Sequence, residues 1–273
     1  MRPSLQTKAS SWRLRRKADT IARMENTRLL EGHAALVTGA GRGIGRAIAR
    51  MLAREGCNVG LVARDADALC RTQAACEAHG VRALPLAMDL SEMASLRLAI
   101  AACVEAFGGL NVLVNNAGVH QFASAVEADL NVWDRMLDVN LRATMHATRL
   151  ALPHIVAGAQ SGRRGAVIFI SSLGGKFTAP TNAGYAATKH ALTGFGGSVF
   201  EDVRDFGVKV CVIYPGWTNT GLLADWLRPE EVIQPEDVAE AARFVIASAP
   251  TVCPTEIVLQ TQSSRAARLF STT

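Results

Sequence analysis

Short apolar runs alternate with longer stretches of helical periodicity along most of the chain. The runs lie at residues 33–37 (HAALV), 58–63 (NVGLVA), 81–87, 111–114, 166–170, 208–214 and 255–259. Each is brief and nearly continuous in Val, Leu, Ile and Ala, which predicts strands buried on both faces. Helical patterns fill the spaces between them: from the glycine turn through residue 53, then 65–79, 91–107, 129–156, 184–204 and 235–248. Ser91 is the expected cap of the third helix, and Gly108-Gly109 its stop. The stretch 129–156 reads as one continuous helix, and Pro235 suits the first turn of the last one. Gly174-Gly175 reads as a mobile loop, and 221–233 as a short lid carrying Leu222, Leu223, Trp226 and Leu227. Strand–helix alternation without an internal repeat or a linker predicts a single α/β domain. Its centre is a doubly wound, parallel, seven-stranded sheet with helices on both faces.

Composition agrees with that architecture. The chain has 273 residues, 49% apolar and 19% charged, enough for one large core. No apolar run reaches the length of a membrane span. The six cysteines are scattered, with no Cys-x-x-Cys pair and no histidine cluster at ligand spacing. They read as buried, reduced thiols of an intracellular protein, and no metal site is expected.

Charge changes the picture at one end. The formal net charge is +5, but residues 1–23 hold seven basic side chains and one acid, leaving 22 basic against 23 acidic elsewhere. The body is therefore near neutral, and no nucleic-acid-binding face is expected. The leader could be an organelle presequence, a basic tail for an acidic surface, a disordered extension, or an artefact upstream of a natural start at Met24. Its poor apolar periodicity and lack of a signal-peptide core favour a disordered or artefactual leader. The expected organisation is a basic extension over 1–29, the α/β domain over 30–260 and a loose tail over 261–273, in a cytoplasmic protein.

The chemistry sits where strands end. After the first run comes Thr38-Gly39-Ala40-Gly41-Arg42-Gly43-Ile44-Gly45. Glycines there allow positive φ and let a pyrophosphate approach backbone N–H groups at a helix N-terminus. The second run ends at Ala63, where an acid would bind ribose hydroxyls; Arg64 follows, and Arg42 lies in the glycine turn. Two guanidiniums at that corner suit a 2′-phosphate and predict NADP(H) over NAD(H). Asp89 and Leu90 follow the third strand, and Asn115-Asn116-Ala117-Gly118 end the fourth. Asn140 stands mid-helix, where Asn is a poor helix former, so it either packs harmlessly or faces a site. Ser171-Ser172 end the fifth strand. Tyr185 and Lys189 are four apart, about 40° from each other around a helix, so they share a face. An ammonium beside a phenol favours the phenolate and lowers its pKa.

Together these residues resemble the short-chain dehydrogenase/reductase family, over about residues 30–260. The likeness rests on TGAGRGIG (38–45), Asp89, NNAG (115–118), Asn140, Ser172, YAATK (185–189) and PGWTNT (215–220), all in order and each at a strand end or on the expected helix. The resemblance implies a Rossmann-type fold and a nicotinamide cofactor. It implies Tyr185 as general acid or base, Ser172 on the substrate oxygen, and Lys189 on the nicotinamide ribose, lowering the Tyr185 pKa. Asn140, through its backbone, would hold a water linking Lys189 to solvent. Gly39, Arg42, Gly43, Ile44, Gly45, Arg64, Asp89, Leu90, Asn116, Ala117, Gly118, Pro215, Gly216, Thr218 and Thr220 would border the cofactor, with Thr218 or Thr220 near its carboxamide. The short lid and the ending Thr255-Glu256-Ile257-Val258-Leu259-Gln260, without a D-G-G-type tail, look like the NADP-dependent 3-hydroxy-acid and small-alcohol dehydrogenase branch. The expected activity is reduction of a partly apolar carbonyl compound or oxidation of the alcohol. Trp217, Phe122, Leu173, Leu222, Leu223 and Trp226 are candidate wall residues. The alternatives are a 3-oxoacyl-thioester reductase and a cofactor-sensing protein without turnover. The family is usually dimeric or tetrameric through its two long helices, so a homodimer or homotetramer is expected.

Overall fold

A computed structural model describes residues 28–221 and 227–263. Seven parallel strands form one sheet in the order β3-β2-β1-β4-β5-β6-β7. They are β1 (Ala34–Thr38), β2 (Asn58–Ala63), β3 (Ala83–Ala87), β4 (Val112–Asn115), β5 (Gly165–Ile170), β6 (Val208–Pro215) and β7 (Glu256–Leu259). The central strands β1, β4, β5 and β6 are buried at every residue, because helices cover both of their sides. The edge strand β7 alternates exposed and partly buried positions. Pro85 is tolerated in β3 because that strand pairs only with β2, and an edge strand needs no N–H on its outer side.

The helices are α1 (Gly43–Arg54), α2 (Ala66–Glu77), α3 (Met93–Phe107), α4 (Leu130–Met136), α5 (Ala143–Gln160), α6 (Ala183–Val203) and α7 (Pro235–Ala247). One apolar core lies between the sheet and α1, α2 and α7; a second lies between the other face and α3, α5 and α6. The doubly wound, seven-stranded parallel architecture expected from the sequence is the architecture observed.

Four local expectations need correction. The stretch 129–156 is helical from Leu130 on but not uniformly α-helical: a π-helical segment, Leu137–Arg142, lies between α4 and α5, and α5 continues to Gln160. Ser91 does not cap α3; its N–H and hydroxyl both donate to Asp89 Oδ1, at 2.9 and 2.8 Å, and Glu92 holds the cap position. Gly174-Gly175 is no loose loop but a buried 3₁₀ turn, Leu173–Gly175, capped by Ser172. Of the cysteines, Cys57, Cys76, Cys103 and Cys211 are buried, whereas Cys70 is exposed and Cys253 half-buried.

The folded body begins early. Arg28 donates to the His79 carbonyl at 2.7 Å, and Leu29 packs on the first core. Residues 1–27, where most of the basic extension was expected, lie outside the described residues, as do Leu222, Leu223 and Trp226 of the lid and the tail from 264. Among the described residues no helix is long and apolar enough to cross a membrane, and no group of three or more His, Cys, Asp or Glu could hold a metal ion.

Helix α6 is set against the sheet through a glycine. A Cβ built on Gly196 would meet Val212 Cγ2 at 2.6 Å and Phe169 Cδ2 at 3.3 Å. Neither neighbour can yield cheaply in a close-packed core. Gly196→Ala is therefore expected to destabilise the protein by roughly 1–3 kcal/mol, read as a lower midpoint in urea melts at unchanged slope.

Candidate active site

Six strands deliver residues to one cavity of about 920 Å³ at the carboxyl edge of the sheet. The chain reverses its direction of travel across the sheet between β3 and β4, which leaves a crevice beside β1 and β4 where ligands bind in such folds. Gly39, Arg42, Gly43 and Ile44 follow β1, Arg64 follows β2, and Asp89 and Leu90 follow β3. Asn116, Ala117 and Gly118 follow β4, Ser172 follows β5, and Pro215, Gly216, Thr218 and Thr220 close β6. Tyr185 and Lys189 reach the cavity from α6. Of the catalytic and cofactor-binding residues expected at the site, only Gly45 and Asn140 do not line it; both are buried behind it.

The edge is assembled by side chain to backbone bonds. Thr38 Oγ1 accepts from the N–H groups of Asn116 and Ala117, at 2.9 and 3.0 Å, and donates to the Val114 carbonyl at 3.2 Å. The Asn116 amide donates back to the carbonyls of Thr38 and Gly39, at 2.8 and 3.2 Å. Gly45 has no room for a side chain here: its Cβ would stand 2.3 Å from the Gly39 carbonyl oxygen. Gly39 and Gly43 adopt φ of +67° and +52°, conformations that favour glycine.

Asn140 resolves as a brace. Its carboxamide oxygen accepts from the Val119 N–H at 2.8 Å, and its amide nitrogen donates to the Val119 carbonyl at 2.9 Å and to Thr188 Oγ1 at 3.1 Å. It thus fastens the segment after Gly118 to the π-helical turn and to α6. Its own carbonyl accepts from Thr144 Oγ1 at 3.0 Å.

Ser172 Oγ accepts from the Gly174 N–H at 3.1 Å, and its hydroxyl lies close enough to Tyr185 to act on the phenol's pKa. Lys189 Nζ donates to the Ile170 carbonyl at 2.8 Å and lies 5.6 Å from the centre of the Tyr185 ring. The electrostatics differ from the simple lysine–phenol picture. Burial is the largest influence on Tyr185 and raises its pKa; the Ser172 hydroxyl opposes that, and Lys189 is not among the causes. Burial also depresses Lys189, to about 8. The ammonium spends its nearest bond on a carbonyl, so its effect on the phenol is small in this state.

At the other end, Arg42 and Arg64 are exposed, and among the described residues neither forms a salt bridge. Arg42 holds the N-cap position of α1 without a side-chain cap bond, so the first N–H groups of that helix are left to a ligand. Asp65 is the N-cap of α2, accepting from Ala68 N–H at 2.9 Å. The Asp89 carboxyl is held below its usual range, first by the backbone bond from Ser91, with Arg135 and Arg64 adding to it. A nucleotide diphosphate fits this donor set: glycines at positive φ, an uncapped helix start and two unpaired guanidiniums along one cavity wall.

Among the lining residues that the sequence reading missed, three carry polar side chains beside expected groups. Arg135 lies 3.8 Å from Asp89, and His120 and Asn182 stand beside Tyr185. No motif marks them, since their partners are 46 to 62 positions away. Trp217 and Phe122 line the cavity as expected, but Leu173 is buried core instead. The base of the lid is anchored by a parallel bridge between Thr218 and Ile233. Thr220 lies over Gly43, whose Cβ would be 3.0 Å from its methyl group, so Thr220 belongs to the glycine turn.

The comparison with known families agrees with this geometry. The sequence pattern of the family described as short chain dehydrogenase matches residues 33–231. The chain belongs to that short-chain dehydrogenase family. A relative from Anopheles gambiae, a dehydrogenase/reductase SDR family protein 7-like, is 34% identical over 204 residues, 72% of this chain and 62% of its own length. This chain thus spans under two thirds of that relative. A short chain dehydrogenase from Burkholderia cenocepacia, solved in complex with NADP, superposes with a TM-score of 0.78 at 31% identity, over 85% of this chain and 98% of the other. A 3-ketoacyl-(acyl-carrier-protein) reductase from Brucella melitensis, complexed with NADH, gives 0.78 at 29% identity over 84% and 97%. Among short-chain dehydrogenases, then, similar chains are seen with either nicotinamide dinucleotide.

The buried lysine gives a test by pH. Its folded pKa of about 8 lies below the ordinary lysine value of 10.5, so between the two the unfolded chain binds more protons than the folded one. Stability must then rise with pH through that window. The stability of the wild type minus that of Lys189→Met is expected to increase from pH 8 to pH 10.5 in urea melts; a flat difference would show that the ammonium is not desolvated.

Proposed function

We propose that this short-chain dehydrogenase transfers hydride between NADP(H) and a carbonyl compound or secondary alcohol, with Tyr185 as the proton donor in reduction and acceptor in oxidation. One observation carries the reading: a single cavity runs from the Arg42–Arg64 pair to Ser172, Tyr185 and Lys189. The bound cofactor supplies the hydride, and the protein supplies position and proton. Burial keeps the phenol protonated at neutral pH, the state needed to give a proton to a carbonyl oxygen. Ser172, oriented by the Gly174 N–H, donates to that same oxygen as charge develops on it. Lys189 would hold the nicotinamide ribose, and the Asn140 carbonyl would hold a water that links Lys189 to solvent.

The cofactor preference rests on charge. Ala63 replaces the acid that would bind ribose hydroxyls, and two unpaired guanidiniums face the corner where a 2′-phosphate would lie. Charge-assisted bonds of this kind contribute about 1.5–3 kcal/mol each. Thr218, whose hydroxyl donates to the Gly216 carbonyl at 3.0 Å, or Thr220 would lie toward the carboxamide. The Brucella melitensis neighbour supports a second reading, a 3-ketoacyl-thioester reductase. It is the weaker one, because the basic lining residues Arg42, Arg64 and Arg135 gather at the cofactor end instead of the substrate mouth. We further propose a cytoplasmic homodimer or homotetramer whose catalytic domain spans residues 30–260.

Purified protein should oxidise NADPH with members of a panel of ketones, aldehydes and 3-oxo esters, and Tyr185→Phe should lower turnover by roughly 10²–10⁴-fold. Turnover of full strength in that variant would remove Tyr185 from the chemistry. Absence of turnover with the whole panel in the wild type would favour a cofactor-sensing protein.

The paired change Ala63→Asp with Arg64→Ala should lower the NADPH-to-NADH ratio of kcat/KM by about tenfold or more. An unchanged ratio would refute the 2′-phosphate argument.

A further inference from the structure

We propose that His120 and Asn182 form a polar subsite that recognises a second hydroxyl of the substrate, on a carbon next to or one removed from the carbonyl that Tyr185 protonates. The inference rests on the reading of Tyr185 as proton donor.

Asn182 is the last residue before α6 and is only 7% exposed, yet it lines the cavity. Its Oδ1 is 3.0 Å from His120 Nε2. The imidazole stacks obliquely on the Tyr185 ring, with centroids 4.3 Å apart, and meets Phe122 edge-on at 4.1 Å. The pair therefore stands directly against the Tyr185 phenol. Among the described residues, neither the second ring nitrogen of His120 nor the second polar atom of the Asn182 amide has a protein partner. A buried amide with one group unused, facing a cavity, is arranged for a ligand.

The surroundings hold this pair in place. Asn140 fixes Val119, next to His120, through both its N–H and its carbonyl. The Ala123 N–H donates to the Thr181 carbonyl at 2.9 Å, joining the loop of His120 to the loop of Asn182. Thr181 adopts φ of +60°, the one described non-glycine residue at positive φ, and an unfavourable place for a β-branched side chain. Strain of this sort persists where surrounding contacts over-determine the backbone. A Cβ on Gly174 would come within 3.3 Å of both the Asn182 amide nitrogen and Tyr185 Cε1, so glycine there keeps amide and phenol side by side.

The chemistry of the pair selects the ligand. Burial, aided by the Lys189 charge and opposed by the Asn182 bond, keeps the imidazole below the usual histidine range, so it is neutral at pH 7. A neutral imidazole has one donor and one acceptor nitrogen, and a carboxamide has one acceptor oxygen and one donor amine. Whichever way the amide is turned, their mutual bond consumes one donor and one acceptor. What remains facing the cavity is again one donor and one acceptor. A hydroxyl satisfies both at a single atom. A ketone or ether oxygen accepts only, a carboxylate accepts only, and a methyl group leaves both unpaired. The ring contact at 4.3 Å places this hydroxyl within a few bonds of the reacting carbon. The expected substrates are α- or β-hydroxy ketones in reduction and the matching diols in oxidation.

The test starts from the simplest aliphatic ketone that the full chain reduces with NADPH. Its α- and β-hydroxylated forms are each compared with the analogue carrying methyl in place of hydroxyl. For each pair the hydroxy-to-methyl ratio of kcat/KM is measured in the wild type, in His120→Phe and in Asn182→Ala. Comparing ratios between enzymes cancels the intrinsic activation of a carbonyl by a neighbouring hydroxyl and any loss of folded protein. At least one pair should show a ratio about tenfold or more lower in both variants than in the wild type. Ratios within about twofold of the wild type for both pairs would overturn the subsite while leaving ketone reduction intact. Failure to find any reducible ketone would instead overturn the oxidoreductase reading, and the subsite with it.

Discussion

Thr38 ends β1 with a hydroxyl that has no hydrogen-bonding capacity to spare. It takes two N–H groups from the end of β4 and gives its proton to a third backbone group of that strand, while Asn116 returns two bonds to the end of β1. These are the strands at the crevice where the sheet's connections reverse. Every group in the joint is buried or partly so, and removing one partner would strand others at the cost of their desolvation. The glycine turn leaves β1 from one side of this joint and the Asn116–Gly118 segment leaves β4 from the other. The shape of the cavity is in this sense a consequence of one threonine and one asparagine.

A second brace carries the constraint to α6, the helix of Tyr185 and Lys189. The π-helical turn at Leu137–Arg142 widens the helix locally and turns the Asn140 carboxamide toward Val119 and Thr188. An Asn that is a poor helix former on propensity alone thereby becomes a three-way connector between β4, α5 and α6. Such π-bulges recur at functional sites because the extra residue re-aims a side chain without ending the helix. Lys189 completes the arrangement from the other direction: its ammonium is tied to the last carbonyl of β5, just before Ser171-Ser172. Ser172 thus comes from the end of β5 and Tyr185 and Lys189 from α6, and the Lys189 bond ties the two segments together.

Holding the groups this firmly sets their chemistry. Burial raises the phenol and depresses the ammonium, so the favoured state at neutral pH is a protonated Tyr185 beside a weakened Lys189. The expectation that the lysine lowers the phenol's pKa treated the two as a pair in isolation. In the folded chain the larger influence is the loss of water around both, and the Ser172 hydroxyl is the group that acts against it.

Much of this was legible in the amino-acid order. Continuous apolar runs marked the strands, because both faces of a doubly wound sheet are covered. The glycine turn, the NNAG end of β4 and the Tyr185–Lys189 spacing were visible because each is local, confined to one turn or one helix face. The break in 129–156 was not legible, since a π-turn inserts one residue per turn into a pattern that stays apolar on the same side. The burial of Gly174, the approach of Arg135 to Asp89 and the meeting of His120 with Asn182 were hidden for a related reason: each joins residues far apart in the chain. The sequence by itself determined the alternation of strand and helix and the short motifs that come to line the cavity, because periodicity and short motifs are properties of neighbours. Tertiary structure alone decided which polar atoms are left unpaired around the phenol and which way burial moves its proton, because both depend on what packs against a residue from elsewhere in the chain.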